Sequence, residues 1–232
     1  MVKMVVSSFY NTLIDNEEAI PVSTMLEIER IRKKGIIFSI CTNGYYKEIL
    51  DYNKDFPFID YIISLNGSIT YDVKKDRILS KIKLTKTTIK RISELFSNNK
   101  VTYYSETKKL KNVKDEDIYK VEIELKKDED LSEKLDKLNI NTSILELGKK
   151  KYLEITSRKS NMFTGIDGIG LRTGIALKDI LVITGNESDI PLVKNIEKNF
   201  VVKNAPKELK KYAYKQTNSN DNKGVERVLK KL

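Results

Sequence analysis

Short, mainly apolar runs separated by amphipathic stretches occupy both ends of this chain, and that rhythm limits the fold more than any other feature. Lys3–Ser7, Ile36–Cys41, Tyr61–Ser64, Ile180–Thr184 and Phe200–Val202 are such runs. A strand that is apolar on successive residues has both faces buried, which is the mark of a parallel sheet covered by helices. Val22–Lys34 carries Met25, Leu26, Ile28 and Ile31 at helical spacing, and Gly35 follows as its C-terminal stop. Further helices are predicted over Tyr45–Asn53, over Asp189–Glu197 with proline near its start, and over Val225–Leu232 behind Asn222-Lys223-Gly224. Strand, helix, strand, helix, strand implies right-handed crossovers within one sheet.

The middle has another character. Strands are predicted over Ile78–Leu84, Val101–Tyr104, Tyr119–Leu125, Thr142–Leu147 and Tyr152–Ile155, and helices over Thr87–Phe96 and Leu131–Leu138. In Tyr119–Leu125 polar and apolar residues alternate, which implies an antiparallel sheet with one face half-exposed. An α+β insert in a parallel-sheet core follows, with no internal repeat and no low-complexity linker.

Composition narrows the chemistry. Across 232 residues there is one cysteine, Cys41, and no histidine. A lone cysteine excludes an internal disulfide and a multi-cysteine metal cluster, and fits the cytoplasm. Without imidazole there is no Ser-His or Cys-His pair and no histidine ligand or base. The net charge of +10 comes mainly from lysines mixed with acids, as in Lys207-Glu208-Leu209-Lys210-Lys211. Such mixing reads as solvated helix faces, so a nucleic-acid partner is not expected. No stretch approaches the roughly 18 apolar residues of a membrane span, and the start turns polar too early for a signal peptide. No membrane role is expected.

Several segments together resemble the haloacid dehalogenase superfamily, in particular its Cof-like sugar-phosphate phosphatases. Met1–Ile14 resembles that family's first motif, an apolar strand running into Asp-x-Asp-Gly-Thr-Leu. Thr42 falls where the family places its phosphate-binding Thr or Ser, and Ser64-Leu65-Asn66-Gly67-Ser68 is similar to its Asn-Gly turn before the cap. Leu153-Glu154-Ile155-Thr156 resembles the return from the cap, and Thr184–Leu192 the last acidic motif. Asn204-Ala205-Pro206 and Asn222–Val225 resemble the closing segments. The resemblance implies an α/β fold: a Rossmann-like parallel-sheet core over 1–79 and 153–232, with an inserted α+β cap of the C2 type over 80–152.

The same resemblance locates a departure. The family's first aspartate attacks phosphorus and its second works as acid and base. Here Ser8 and Tyr10 stand at those positions, and Asn11 replaces the glycine. The family's lysine falls near Met162, with Lys159 close enough that a shifted loop could supply it. The last motif's first acid falls on Gly185; of the polar set Thr12, Thr42 and Asp189 remain. Magnesium is usually held by one or two carboxylates with phosphate and water, so no cofactor is expected, Asp189 being the one retained metal candidate. Losing one member of a cooperating set can cost about 10⁶ in rate, roughly 8 kcal/mol of barrier.

The expected outcome is a catalytically degenerate phosphatase homologue, a pseudoenzyme. Ser8 lacks an adjacent base and reads as a packed or hydrogen-bonded strand-end serine, and Tyr10 as a side chain filling the space of metal and phosphate. Thr12, Thr42, Asn43 and Gly44 are candidate anion ligands, Thr42 with the following loop offering hydroxyl and N–H donors to a small phosphorylated molecule. Asp15, Asp55 and Asp60 lie outside the motifs and read as surface acids. The alternative is a slow magnesium-dependent phosphohydrolase acting on sugar phosphates or similar esters. The role expected to remain is binding of a small phosphorylated molecule or of a partner, and the sequence does not say which protein such a partner would be.

Overall fold

The computed structural model describes residues 1–54, 57–113, 115–126, 135 and 138–232. In chain order the first part holds β1 (Met4–Ser8), α1 (Val22–Lys33), β2 (Ile37–Cys41), α2 (Tyr46–Tyr52), β3 (Tyr61–Ser64), β4 (Ile69–Asp72) and β5 (Arg77–Lys81). The middle holds α3 (Lys86–Leu95), β6 (Lys100–Tyr104), β7 (Lys109–Leu110), β8 (Lys120–Glu124), β9 (Ile140–Leu147) and β10 (Lys150–Ser157). The last part holds α4 (Met162–Thr173), β11 (Ile180–Thr184), α5 (Ile190–Asn195), β12 (Lys198–Val202), α6 (Lys207–Lys210), β13 (Lys215–Thr217) and α7 (Gly224–Leu229). The helix expected over 131–138 lies, apart from Leu135 and Leu138, outside the described residues, as does Asp55.

Two sheets result. The larger runs β13-β12-β11-β1-β2-β3-β4-β5 and the smaller β7-β6-β8-β10-β9. In the larger, the pairs from β13 to β3 are parallel, as the apolar runs predict. Beyond β3 it turns antiparallel, because Ser64–Ser68 makes a tight hairpin into β4. The strand expected over 78–84 is β5; it pairs with β4 in the larger sheet and does not join the insert's sheet. The smaller sheet is antiparallel throughout.

Alternate residues of the central strands feed different cores. Val5, Ile40 and Ile183 pack with Ile28 and Ile31 of α1 and Val225, Val228 and Leu229 of α7. Met4, Val6 and Val182 pack on the opposite face with Met162, Ile166 and Ile169 of α4 and Leu192 of α5. A third core fills the insert, with Ile92, Phe96, Val121, Ile123 and Leu153. No helix among the described residues is long and apolar enough to cross a membrane.

The sequence reading missed α4 because Gly165, Gly168 and Gly170 interrupt it, each a poor helix former. Its ends carry the helix: Asn161 Oδ1 accepts the Thr164 N–H at 3.0 Å, and Gly174 closes it at φ +72. Gly165 lets α4 lie close on β3, since a Cβ there would sit 2.6 Å from Ile63 Cγ2.

Candidate functional site

Parallel strands end at one edge of a sheet, so the loops after β1, β2 and β11 converge there. Ser8, the last residue of β1, is in register with Cys41, the last of β2. Its Oγ donates to Asp189 Oδ2 at 2.7 Å and lies 3.4 Å from Cys41 Sγ. This corrects one expectation: Ser8 has a carboxylate beside it. Ser8 and Asp189 are each 1% exposed, so the pair is sealed in protein.

Asp189 Oδ2 also accepts the N–H of Asn186 at 2.9 Å and of Gly185 at 3.3 Å. Oδ1 is buried without a partner. Burial pushes the carboxyl up to about 6, against the downward pull of the Ser8 hydroxyl and the backbone N–H groups. With three donors on Oδ2, the proton belongs on Oδ1. Burial, then the Asp189 charge, pushes the Cys41 thiol well above its ordinary value.

The position where the resemblance expects the last motif's first acid has closed up at Gly185. A Cβ on Gly185 would lie 2.5 Å from Thr12 Oγ1, 2.8 Å from the Asn11 carbonyl oxygen and 2.9 Å from Val202 Cγ2. Asn11 adopts φ +58 and donates through Nδ2 to Asn186 Oδ1 at 3.0 Å, while Asn186 Nδ2 donates to the Tyr10 carbonyl at 3.0 Å. Asn204 Nδ2 donates to the Asn11 carbonyl at 2.9 Å. Neutral amides thus tie together the loops that carboxylates and a cation would otherwise link. Magnesium demands near-octahedral oxygen ligation. One protonatable carboxylate, a serine that points its proton at it and a glycine with no room for a side chain do not fit that ion. Among the described residues no three acidic, histidine or cysteine side chains converge on a metal position.

Thr42 is 3% exposed, and its Oγ1 accepts the Gly44 N–H at 3.0 Å. That donor is spent on the loop itself. Asn43 and Gly44 are half-buried and line a cleft of about 460 Å³ between the strand ends and the insert's sheet. Tyr10 lines it too, its ring edge-on to Phe9 and its hydroxyl 3.5 Å from Glu48 Oε2. Ser8, Thr12, Thr42, Gly185 and Asp189 are buried and do not form the cleft wall. Met162 is 1% exposed in the core, and Lys159 is exposed with no place in the cleft.

Two cations line the cleft, Lys109 and Lys120, and sequence reasoning singled out neither; Lys120 is the buried one. It is 2% exposed, donates to Glu154 Oε1 at 2.7 Å and to the Asn43 carbonyl at 2.8 Å, and stands 4.2 Å from the Tyr104 ring centre. Glu154, equally buried, also accepts from Asn66 Nδ2 at 2.9 Å and Ser143 Oγ at 3.1 Å. The signal was present: Lys120, Glu122 and Glu124 form the polar side of the alternating run. That side faces the core loops, with Tyr104 in register beside Lys120. Asp15 also lines the cleft, and Asp60, read as a surface acid, pairs with Arg32 at 2.9 Å and accepts the Phe38 N–H.

Comparison with known proteins agrees with this architecture. The model of the haloacid dehalogenase-like hydrolases matches residues 9–110 and 98–229, and the chain belongs to that family. A haloacid dehalogenase-like hydrolase from B. subtilis superposes with TM-score 0.89 at 14% identity over 100% of both chains. A subclass IIB sugar phosphatase of the superfamily superposes with TM-score 0.87 at 17% identity, over 99% of this chain and 98% of the other. A Cof-like hydrolase from Plasmodium vivax gives TM-score 0.80 at 21% identity, over 99% and 95%. At these identities the likeness is one of fold. No curated protein matches the sequence.

Proposed function

We propose that this member of the haloacid dehalogenase-like family is a pseudoenzyme, a phosphatase-fold protein that no longer transfers phosphoryl groups and uses its cleft for binding. One observation carries the reading: the Ser8 hydroxyl is bonded to Asp189 at 2.7 Å, with both groups 1% exposed and outside the cleft wall. A nucleophile must come within about 3–3.5 Å of the reacting atom in an aligned approach. A substrate in the cleft meets Tyr10, Asn43 and Gly44 before it meets Ser8. Charge developing on a transferring phosphoryl group needs preorganised cations, and Lys120 is already shared between Glu154 and Asn43. The single buried thiol, Cys41, fits a reducing compartment such as the cytoplasm.

The test is turnover of an aryl phosphate and a panel of sugar phosphates with and without millimolar magnesium, alongside thermal unfolding. No turnover and no magnesium-dependent rise in unfolding temperature are expected, since an ion bound only by the native state would raise it. Magnesium-dependent turnover that disappears in Asp189→Asn would establish a slow phosphohydrolase and overturn the reading.

A further inference from the structure

The chain passes between the core and the insert twice, through residues 82–85 and 158–161, and any swing of the insert must bend both passages. A hinge works by letting a few residues change φ and ψ. Here both passages are fastened to one buried residue. Ser68, 0% exposed in the turn between β3 and β4, accepts the Ile82 N–H on its carbonyl at 2.8 Å. Its Oγ donates to the Tyr119 carbonyl at 2.9 Å and stands 2.9 Å from Ser160 Oγ. A hydroxyl carries one proton, so Ser160 is the donor in that last contact. Ser68 thus holds the first passage, the second passage and the residue that leads into β8.

The second passage is tied from the insert's side as well. Asn141 Nδ2, on β9, lies 3.1 Å from the Ser157 carbonyl oxygen, 3.0 Å from that of Arg158 and 2.8 Å from that of Ser160. Thr156 Oγ1 donates to the Ser160 carbonyl at 3.1 Å. From the core's side the turn presses on the same segment: Gly67 has φ +89, and a Cβ there would lie 2.0 Å from the Asn161 carbonyl oxygen. Core loops also reach across the gap. Asn43 after β2 and Asn66 after β3 donate to Glu154 at 3.3 and 2.9 Å, and Glu187 after β11 accepts the Ile144 N–H at 3.2 Å. The peptide groups that a hinge would rotate are fixed at their carbonyls and pressed against a neighbour.

We infer that the insert is a fixed roof and not a moving lid: Ser68 and Asn141 immobilise both passages, so core and insert move as one rigid body and a ligand enters the cleft through its standing mouth. The cleft walls keep their spacing with or without an occupant, and binding requires no ordering of the insert. The inference concerns motion alone and is independent of whether the chain turns over phosphate esters.

The experiment is double electron–electron resonance on the full chain, in a Cys41→Ala background, with spin labels at Lys33→Cys on α1 and Lys90→Cys on α3. Both positions are exposed, one on the core and one on the insert. A single narrow distance distribution is expected. Adding Ser68→Ala/Asn141→Ala should broaden or split it while circular dichroism shows both sheets still formed; if that pair fails to fold, Asn141→Ala alone, at a half-buried side chain, carries the comparison. Hydrogen exchange gives a second readout. The Ile144 amide should exchange about tenfold faster or more in the variant than in wild type, with the Val6 amide in the central strand unchanged. A broad or two-peaked distribution in wild type would show a swinging insert and overturn the inference. Equally narrow distributions and equal Ile144 exchange in wild type and the folded variant would overturn the assignment of the lock to Ser68 and Asn141.

Discussion

Ser8 and Asp189, far apart in the chain, are joined by a 2.7 Å hydrogen bond at the edge of the larger sheet, and the carboxyl is pushed up to about 6 by burial. The unfolded chain releases that proton near pH 4. Between about pH 4 and about pH 6 the folded protein therefore holds a proton that the unfolded chain has lost, so this group favours folding at the acid end. Its contribution is fully present below pH 4, fades as pH rises through 6 and is gone above. Two units correspond to about 3 kcal/mol. Denaturant unfolding across this window should show wild type losing stability relative to Asp189→Asn, with the gap constant above it. Equal slopes for the two proteins would mean that the carboxyl ionises freely.

Gly185 was expected to be a lost metal ligand, and the structure adds that the loss is locked in. A Cβ would collide with Thr12 Oγ1 at 2.5 Å and with the Asn11 carbonyl at 2.8 Å. Gly185→Ala should cost about 1–3 kcal/mol by overpacking, measured in urea. Gly185→Asp should cost more and still show no magnesium-induced stabilisation. Wild-type stability in Gly185→Ala would show that the loop yields freely.

Those parts of the fold that lie in apolar patterning were legible. Met4-Val5-Val6 and Ile180–Thr184 are apolar on both faces because both faces are covered, and a sequence records that directly. Helix α4 was illegible because its glycines suit close approach to Ile63 and not helix propensity. Strand β13, Lys215-Gln216-Thr217, has no apolar residue and takes its conformation from pairing with β12. Tertiary context decides such segments.

Lys120 of β8 and Glu154 of β10 form a buried ion pair at 2.7 Å within the insert's sheet, both 2% exposed, and Lys120 ties that sheet to the loop after β2 by donating to the Asn43 carbonyl at 2.8 Å. Removing one partner of such a pair strands a buried charge. Lys120→Met should cost about 3–5 kcal/mol, whereas Lys120→Met/Glu154→Gln should recover a large part of that loss. Additive losses in urea unfolding would show that the two charges do not interact.

The site was legible in its positions but not in its contacts. Ser8, Gly185 and Asp189 were found by their order along the chain, yet no pattern announces that Ser8 points its proton at Asp189 or that Gly185 has closed against Asn11. Lys120 was not singled out, because alternation shows which side of a strand is polar and not what that side meets. Here it meets Asn43 and Glu154.

Cys41 offers a test of how tightly the former catalytic edge is sealed. Its sulfur is 3.4 Å from Ser8 Oγ, the residue is 1% exposed, and burial followed by the Asp189 charge raises its thiol well above the ordinary value. The thiolate is the reactive form, so both access and ionisation oppose reaction. An aromatic disulfide reagent at pH 8 should label native protein slowly, at a rate set by opening of the structure, and label the denatured chain at once. Ser8→Ala removes a contact that favours the thiolate and opens space beside it. If labelling is controlled by access, that variant reacts faster; if by ionisation, slower. Wild-type labelling as fast as that of the unfolded chain would show that the strand ends open to solvent and that the Ser8–Asp189 pair is not sealed.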